Sequence, residues 1–263
     1  MNQTTAYDIY DRQGFVVLPR LVPETVVTAA RDEYIRHADD APRTAADIDA
    51  PIIVMWHHVD GGFKRYLSLP EAPAIHALIT RPEILGYVRD ICGGPVRLLE
   101  TIVFNKPPEK GGNLAWHQDA SFYPLKGGKL VSALIPFDPM TTENGAVSYA
   151  PGSHTGTLMS AVDLHSGQRR ADDTRAIPMH PADHGYDVVT PDLAPGDVTV
   201  FHDLVWHGSA PNRSKDMPRR LLSVRYIRLD TIYDPVPGNA ASFIQQIRTP
   251  VGSPIAGSAF PIL

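Results

Sequence analysis

From Val96 to Leu229 the chain is cut into short runs, VRLLETIVF, KLVSALIPF, AVSYAP, DVTVFHD and RLLSVRYIRL, separated by Gly, Pro and Asn. Runs of this length, rich in Val, Ile, Phe and Tyr and bounded by turn residues, read as strands. The earlier part has a different texture. GFVVL predicts a short strand over 14–18, and Pro23 stands where a helix takes its first residue, with Val26, Val27, Ala30, Tyr34 and Ile35 giving an apolar stripe as far as about His37. Ile75, Leu78 and Ile79 precede Arg81-Pro82, and Ile84, Leu85, Val88 and Ile91 precede Gly93-Gly94, which predicts two helices joined at a proline. Helices followed by a series of strands predict an α+β, mainly β chain in which helices brace a sandwich or barrel. Proline agrees: 25 residues in 263 is nearly twice the roughly 5% of an ordinary chain, and with 20 glycines it argues against a helical bundle.

Charge narrows the partners. The net charge of -5 supplies no overall positive field for nucleic acid or an anionic membrane, so neither is expected as a partner, and an anionic ligand has to be held by particular arginines. No apolar run is long enough to span a bilayer, and MNQTTAYDIYDRQG lacks a basic segment followed by an apolar one, so a cytoplasmic protein is expected. A lone cysteine, Cys92 in RDICGG, excludes an internal disulfide framework and a multi-cysteine zinc site, and reads as a buried structural thiol.

The chemistry concentrates in three places. In WHQD, an extended segment puts His117 and Asp119 on one side, an imidazole and a carboxylate. The spacing alone is weak, since His202-Asp203 and Asp183-His184 also occur and carry no assigned chemistry. The second place is the end of PGDVTVFHDLVWHGS, where His207 closes a strand before a turn. Two neutral imidazoles and a carboxylate on one side of a metal leave the opposite positions open, the arrangement of non-haem Fe(II) oxygenases. The third is RRLLSVRYIRL. A guanidinium beside such a metal can grip a carboxylate through paired hydrogen bonds. Alternation places Arg219, Leu221, Ser223 and Arg225 on one side and Arg220, Leu222, Val224 and Tyr226 on the other, and both sides mix charge with apolar groups. His154 and His202 read as structural. Lys106-Pro107-Pro108 reads as a turn without chemistry. Trp56, His57 and His58 line a substrate mouth or pack helices on the barrel, while Phe122 and Tyr123 are candidate pocket walls.

GFVVLPRLVP, RPEILGYVRDICGGP, FNKPPEKGG, WHQDASFYPL, TTENGAVSYAPGSH, LAPGDVTVFHDLVWHGSAPNRS and PRRLLSVRY, in this order, resemble the phytanoyl-CoA dioxygenase family of Fe(II)/2-oxoglutarate oxygenases. The resemblance implies a double-stranded β-helix, or jelly roll, in one domain. Residues 1–95 would be a helical support, 96–230 the core with a lid loop at about 155–190, and 231–263 a tail. It implies iron held by His117, Asp119 and His207, with 2-oxoglutarate and O2 as cosubstrates. Arg219 after Pro218 resembles the anchor for the far carboxylate of 2-oxoglutarate, and a spacing one residue longer than in familiar members keeps Arg220 as the alternative. Ser209 and Ile102 resemble further cosubstrate contacts, and Ile135 stands where some members carry tryptophan. Intact Asp119 resembles the hydroxylating rather than the halogenating type.

The expectation is therefore an oxygenase that hydroxylates an unactivated C–H of a small molecule, in natural-product tailoring, with Phe122 and Trp56 touching substrate. Epimerisation, desaturation, cyclisation and acyl-CoA hydroxylation are alternatives within the same cofactor set. A zinc hydrolase on the same ligands and a noncatalytic binding module are alternatives outside it; no HExxH motif supports the first, and the intact ligand set opposes the second.

Overall fold

The computed structural model describes residues 5–38, 48, 50–57, 63–159, 176–177, 179–235 and 246–263. The order of elements is α1 (Ala6–Gln13), β1 (Phe15–Leu18), α2 (Glu24–His37), β2 (Ile52–His57), β3 (Phe63–Ser68), α3 (Pro73–Ile79), α4 (Pro82–Cys92), β4 (Val96–Lys106), β5 (Leu114–His117), β6 (Leu125–Lys126), β7 (Leu130–Pro136), β8 (Val147–Tyr149), β9 (Val198–His202), β10 (His207–Ser209), β11 (Arg219–Arg228) and β12 (Ile232–Tyr233). The major sheet runs β1-β9-β7-β11-β4-β2-β3, and the minor sheet runs β5-β10-β8. Together they form the jelly roll. Among the described residues no helix is long and apolar enough to cross a membrane.

Alternation along the major strands sorts their side chains into two cores. Ile53 and Met55 of β2, Val103 of β4, Ala133 and Ile135 of β7, Val200 of β9 and Leu222, Val224 and Tyr226 of β11 pack against the helices. Their neighbours Val54, Ile102, Phe104, Leu134, Phe201 and Leu221 point between the sheets, where they meet Val147 and Tyr149 of β8. A period of two is what separates these sets, and a register slip of one residue would exchange them.

The first 95 residues do not form a purely helical support. They supply β1, β2 and β3 to the major sheet, with β1 antiparallel to β9 and β2 parallel to β4. Ile52, Ile53, Val54 and Met55 are all buried because β2 is covered on both faces, so the run shows no alternation. In α2 the buried positions are Val27, Ala30, Glu33 and Tyr34, while Ile35 is exposed. Glu33 takes the place expected of an apolar residue because its carboxylate accepts a 2.8 Å hydrogen bond from the Ile75 N–H at the start of α3, which has no side-chain cap of its own. After β12 the chain returns to the sheet: Ile255 and Phe260 are buried against Leu99, Leu130 and Ile227. The middle of the expected lid, with Arg169, Arg170 and Arg175, lies outside the described residues. Its flanks are tied down by a Tyr149–Val189 bridge and by an Ile177 N–H bond to the Trp116 carbonyl at 2.6 Å.

Candidate metal and cosubstrate site

β10 lies between β5 and β8, and its register puts His207 directly opposite His117. Asp119 follows β5 at the start of a short 3-10 turn. The result brings together three side chains that are far apart in sequence. His117 Nε2 is 3.8 Å and His207 Nε2 3.6 Å from the same oxygen, Asp119 Oδ1. All three residues are buried, Asp119 to 2% exposure. His117 Nδ1 is 2.7 Å from the Ala115 carbonyl and His207 Nδ1 3.0 Å from the Val205 carbonyl. A carbonyl only accepts, so each Nδ1 carries a proton and each Nε2 is the nitrogen turned to the carboxylate and available to a metal. Among the described residues these three are the group of His, Cys, Asp and Glu side chains able to hold a metal ion, with ligand atoms within 4.8 Å of one another.

Burial by itself pushes the Asp119 carboxyl upward, but Arg225, His207, His117 and the Ser132 hydroxyl outweigh it and hold it well below the usual carboxylate range. Ser132 donates to Oδ2 at 2.8 Å, and Arg225 Nη2 lies 3.4 Å from both oxygens. Burial lowers His207, which favours the neutral imidazole that a metal requires. The donor set thus suits a divalent metal with open coordination positions.

The adjacent cavity between the sheets is lined by Phe104, Leu134, Val147 and Leu221 and carries positive charge at one end. There Arg219, 2% exposed, donates from Nε to the Gly145 carbonyl at 3.2 Å and from Nη2 to Ser209 Oγ at 3.4 Å, without a carboxylate in the described residues. Burial brings its guanidinium down to about 9. Arg220 turns to the opposite side and forms a two-pronged pair with Asp138, at 2.7 Å for both prongs. Gly145 sits at φ 83°, where a Cβ would come within 2.5 Å of the Ala210 carbonyl, so the backbone itself seals this end.

Lys106 is a functional candidate that the motif reading passes over as part of a turn. It is the last residue of β4, cross-strand partner of Arg219, and 1% exposed. Its Nζ donates to Ser209 Oγ at 2.7 Å, to the Ser209 carbonyl at 3.2 Å and to the Ala210 carbonyl at 2.7 Å. Burial and the neighbouring Arg219 push it down to about 6. A buried guanidinium and a buried amine that an arriving anion protonates, with one hydroxyl between them and no carboxylate partner among the described residues, make a receptor for an anion. The signal available in sequence was period two: Ile102, Phe104 and Lys106 share one side of β4.

The other expected residues fall around this centre. Ile102 lies in the inner core opposite Ser223 of β11. Phe122 meets the His117 ring edge-on at 5.4 Å, and Trp56 packs on Phe104 at 5.3 Å within the inner core, not between the helices and the barrel. Ile135 faces the helices, and Leu134 is the β7 residue at the cavity. Gln118, between the two ligands, is a second residue the sequence reading did not single out. Its amide nitrogen donates to the Leu204 carbonyl at 2.9 Å, and its oxygen accepts from the Met159 N–H at 2.8 Å, tying the lid's base to the ligand strand.

The phytanoyl-CoA dioxygenase (PhyH) family model matches residues 10–221. The chain belongs to the phytanoyl-CoA dioxygenase family. As a family member it is an oxidoreductase that uses iron and 2-oxoglutarate, in agreement with the His-Asp-His cluster. A Caenorhabditis elegans relative, a probable phytanoyl-CoA dioxygenase, is 24% identical over 240 residues, covering 84% of this chain and 74% of its own. A 1-deoxypentalenic acid 11-beta-hydroxylase of Streptomyces arenae is 27% identical over 221 residues, covering 79% and 74%. Among solved structures, the alpha-ketoglutarate-dependent carbocyclase SnoK from nogalamycin biosynthesis superposes with a TM-score of 0.70 at 24% identity, over 98% of this chain and 95% of the other. That likeness establishes that this phytanoyl-CoA dioxygenase family protein shares the jelly-roll fold.

Proposed function

We propose that His117, Asp119 and His207 hold Fe(II), that Arg219 with Lys106 and Ser209 holds the far carboxylate of 2-oxoglutarate, and that the protein hydroxylates an unactivated C–H of a small natural product. The observation that carries this reading is one cavity with two imidazoles turned on a buried carboxylate at one end and, at the other, a buried guanidinium without a carboxylate partner among the described residues. When bound, iron, 2-oxoglutarate and O2 together supply the oxidising power, with 2-oxoglutarate leaving as succinate and carbon dioxide.

The chain's own part is placement. The Nδ1–H bonds to Ala115 and Val205 orient both imidazoles, Ser132 and Arg225 orient the carboxylate, and the aliphatic walls keep water from the space between. Phe122 against His117 and Trp56 on Phe104 form apolar surfaces that fit contact with a substrate carbon skeleton. The negative net charge favours a substrate without a strongly anionic handle, and the named hydroxylase and carbocyclase relatives favour a natural product over an acyl-CoA. The buried free Cys92 fits a reducing, cytoplasmic setting, and the described elements fit one domain.

Oxygen consumption and succinate formation, measured with Fe(II) and 2-oxoglutarate added separately and together to metal-free protein, test the reading. Dependence on both is the expected result. Turnover with zinc and without oxygen would replace it by a hydrolase, and an inert protein that binds neither iron nor 2-oxoglutarate would replace it by a binding module.

A further inference from the structure

We infer that Arg225 and Ser223 form a second anchor for the cosubstrate, receiving the carboxylate at its keto-acid end while Arg219 receives the far one; this rests on the 2-oxoglutarate reading above. Arg225 is 5% exposed and Ser223 fully buried. Arg225 uses Nη2 on Asp119, but Nε and Nη1 have no hydrogen-bond partner among the described residues, and neither has the Ser223 hydroxyl. Unpaired buried donors are costly, and an acceptor arriving from the cavity removes that cost.

Their position identifies the acceptor. Both residues line the cavity that holds His117, His207 and Arg219, and they share one side of β11 with Arg219 and Leu221. Arg219 and Arg225 are the two guanidiniums of that cavity, Arg219 beside Ser209 at one end and Arg225 beside Asp119 at the metal cluster, and 2-oxoglutarate carries a carboxylate at each of its ends. The Arg225 guanidinium is also held in place, 6.0 Å from the centroid of the Tyr123 ring, whose hydroxyl donates to Glu100 at 2.8 Å. It is therefore pre-set for a planar anion, as a two-pronged contact requires.

Calorimetric titration of the protein loaded with Fe(II) under argon separates the two anchors with three probes: 2-oxoglutarate, pyruvate (keto-acid end only) and glutarate (no keto group). Arg225→Lys keeps a cation beside Asp119, and Ser223→Ala does not touch Asp119. Ser223→Ala is expected to keep iron content unchanged, Arg225→Lys is compared at saturating Fe(II), and both are expected to leave glutarate affinity unaltered. Arg225→Lys should weaken 2-oxoglutarate and pyruvate about tenfold or more, and Ser223→Ala severalfold. Arg219→Gln should show the opposite pattern, losing affinity for 2-oxoglutarate and glutarate while retaining pyruvate. Unchanged pyruvate affinity in Ser223→Ala and in iron-loaded Arg225→Lys overturns the inference and leaves Arg225 as a buttress for Asp119 alone. Should Arg225→Lys lose iron, Ser223→Ala decides by itself. Failure of the unaltered protein to bind 2-oxoglutarate would instead remove the reading on which the inference rests.

Discussion

Arg219 and Arg220 are neighbours in β11, with one peptide bond between them and opposite surroundings. Arg220 faces the helical side, half-buried, with both prongs on Asp138. Arg219 faces the space between the sheets, fully buried, with a backbone carbonyl and a hydroxyl where a carboxylate would be expected. An ion pair complete within the protein serves the fold. A cation left incomplete is tolerated when a ligand completes it, because isolated buried charge is unfavourable to keep.

The largest effects are expected at the metal end. Asp119→Ala or His207→Ala should reduce bound iron to background and abolish coupled succinate formation, a loss beyond the about 10- to 100-fold that outer partners of a metal site contribute. Retention of iron, measured by metal analysis, would separate the cavity's cations from any metal function. Next come the arginines. Arg219→Gln should weaken 2-oxoglutarate by about 100-fold with unfolding free energy unchanged or higher. Arg220→Gln should leave 2-oxoglutarate affinity alone and lower stability by about 1–2 kcal/mol in urea unfolding. Exchange of these two outcomes would invert the assignment of the faces.

Lys106 sharpens the contrast through protons. It sits at about 6, so between there and the ordinary lysine range the folded protein binds fewer protons at this site than the unfolded chain, and stability rises with pH across that window. An arriving dicarboxylate favours the ammonium form, so binding above about pH 6 takes up protons. Calorimetry in buffers of different ionisation heat reads this uptake. Lys106→Met should erase it and weaken 2-oxoglutarate about tenfold. The smallest effect is expected of Ser209→Ala, about threefold in affinity, as befits one neutral hydroxyl between two cations.

The alternating side chains of β11, the helix stripes and the His-Asp-His spacing are all visible in sequence because each depends on local periodicity or on residue types in short motifs. What decides between Arg219 and Arg220 is Asp138, which lies on the turn after β7 and becomes relevant only once the sheet is assembled. β2 escapes notice because a strand covered on both sides loses its alternation. Lys106 is hidden by the prolines that follow it, although a residue before proline is biased toward the extended backbone that ends a strand. Gln118 has no residue-type signature at all; its role comes from Leu204 and Met159 converging on it.

The main-chain contact at Gly145 has a consequence for engineering. Its carbonyl is an acceptor for one cation of the anion receptor, and the carbonyl that a methyl group there would strike is an acceptor for the other. A single added carbon at 145 would therefore disturb both at once without touching the iron ligands, making this position a dial for how tightly the enzyme draws on a cell's keto-acid supply.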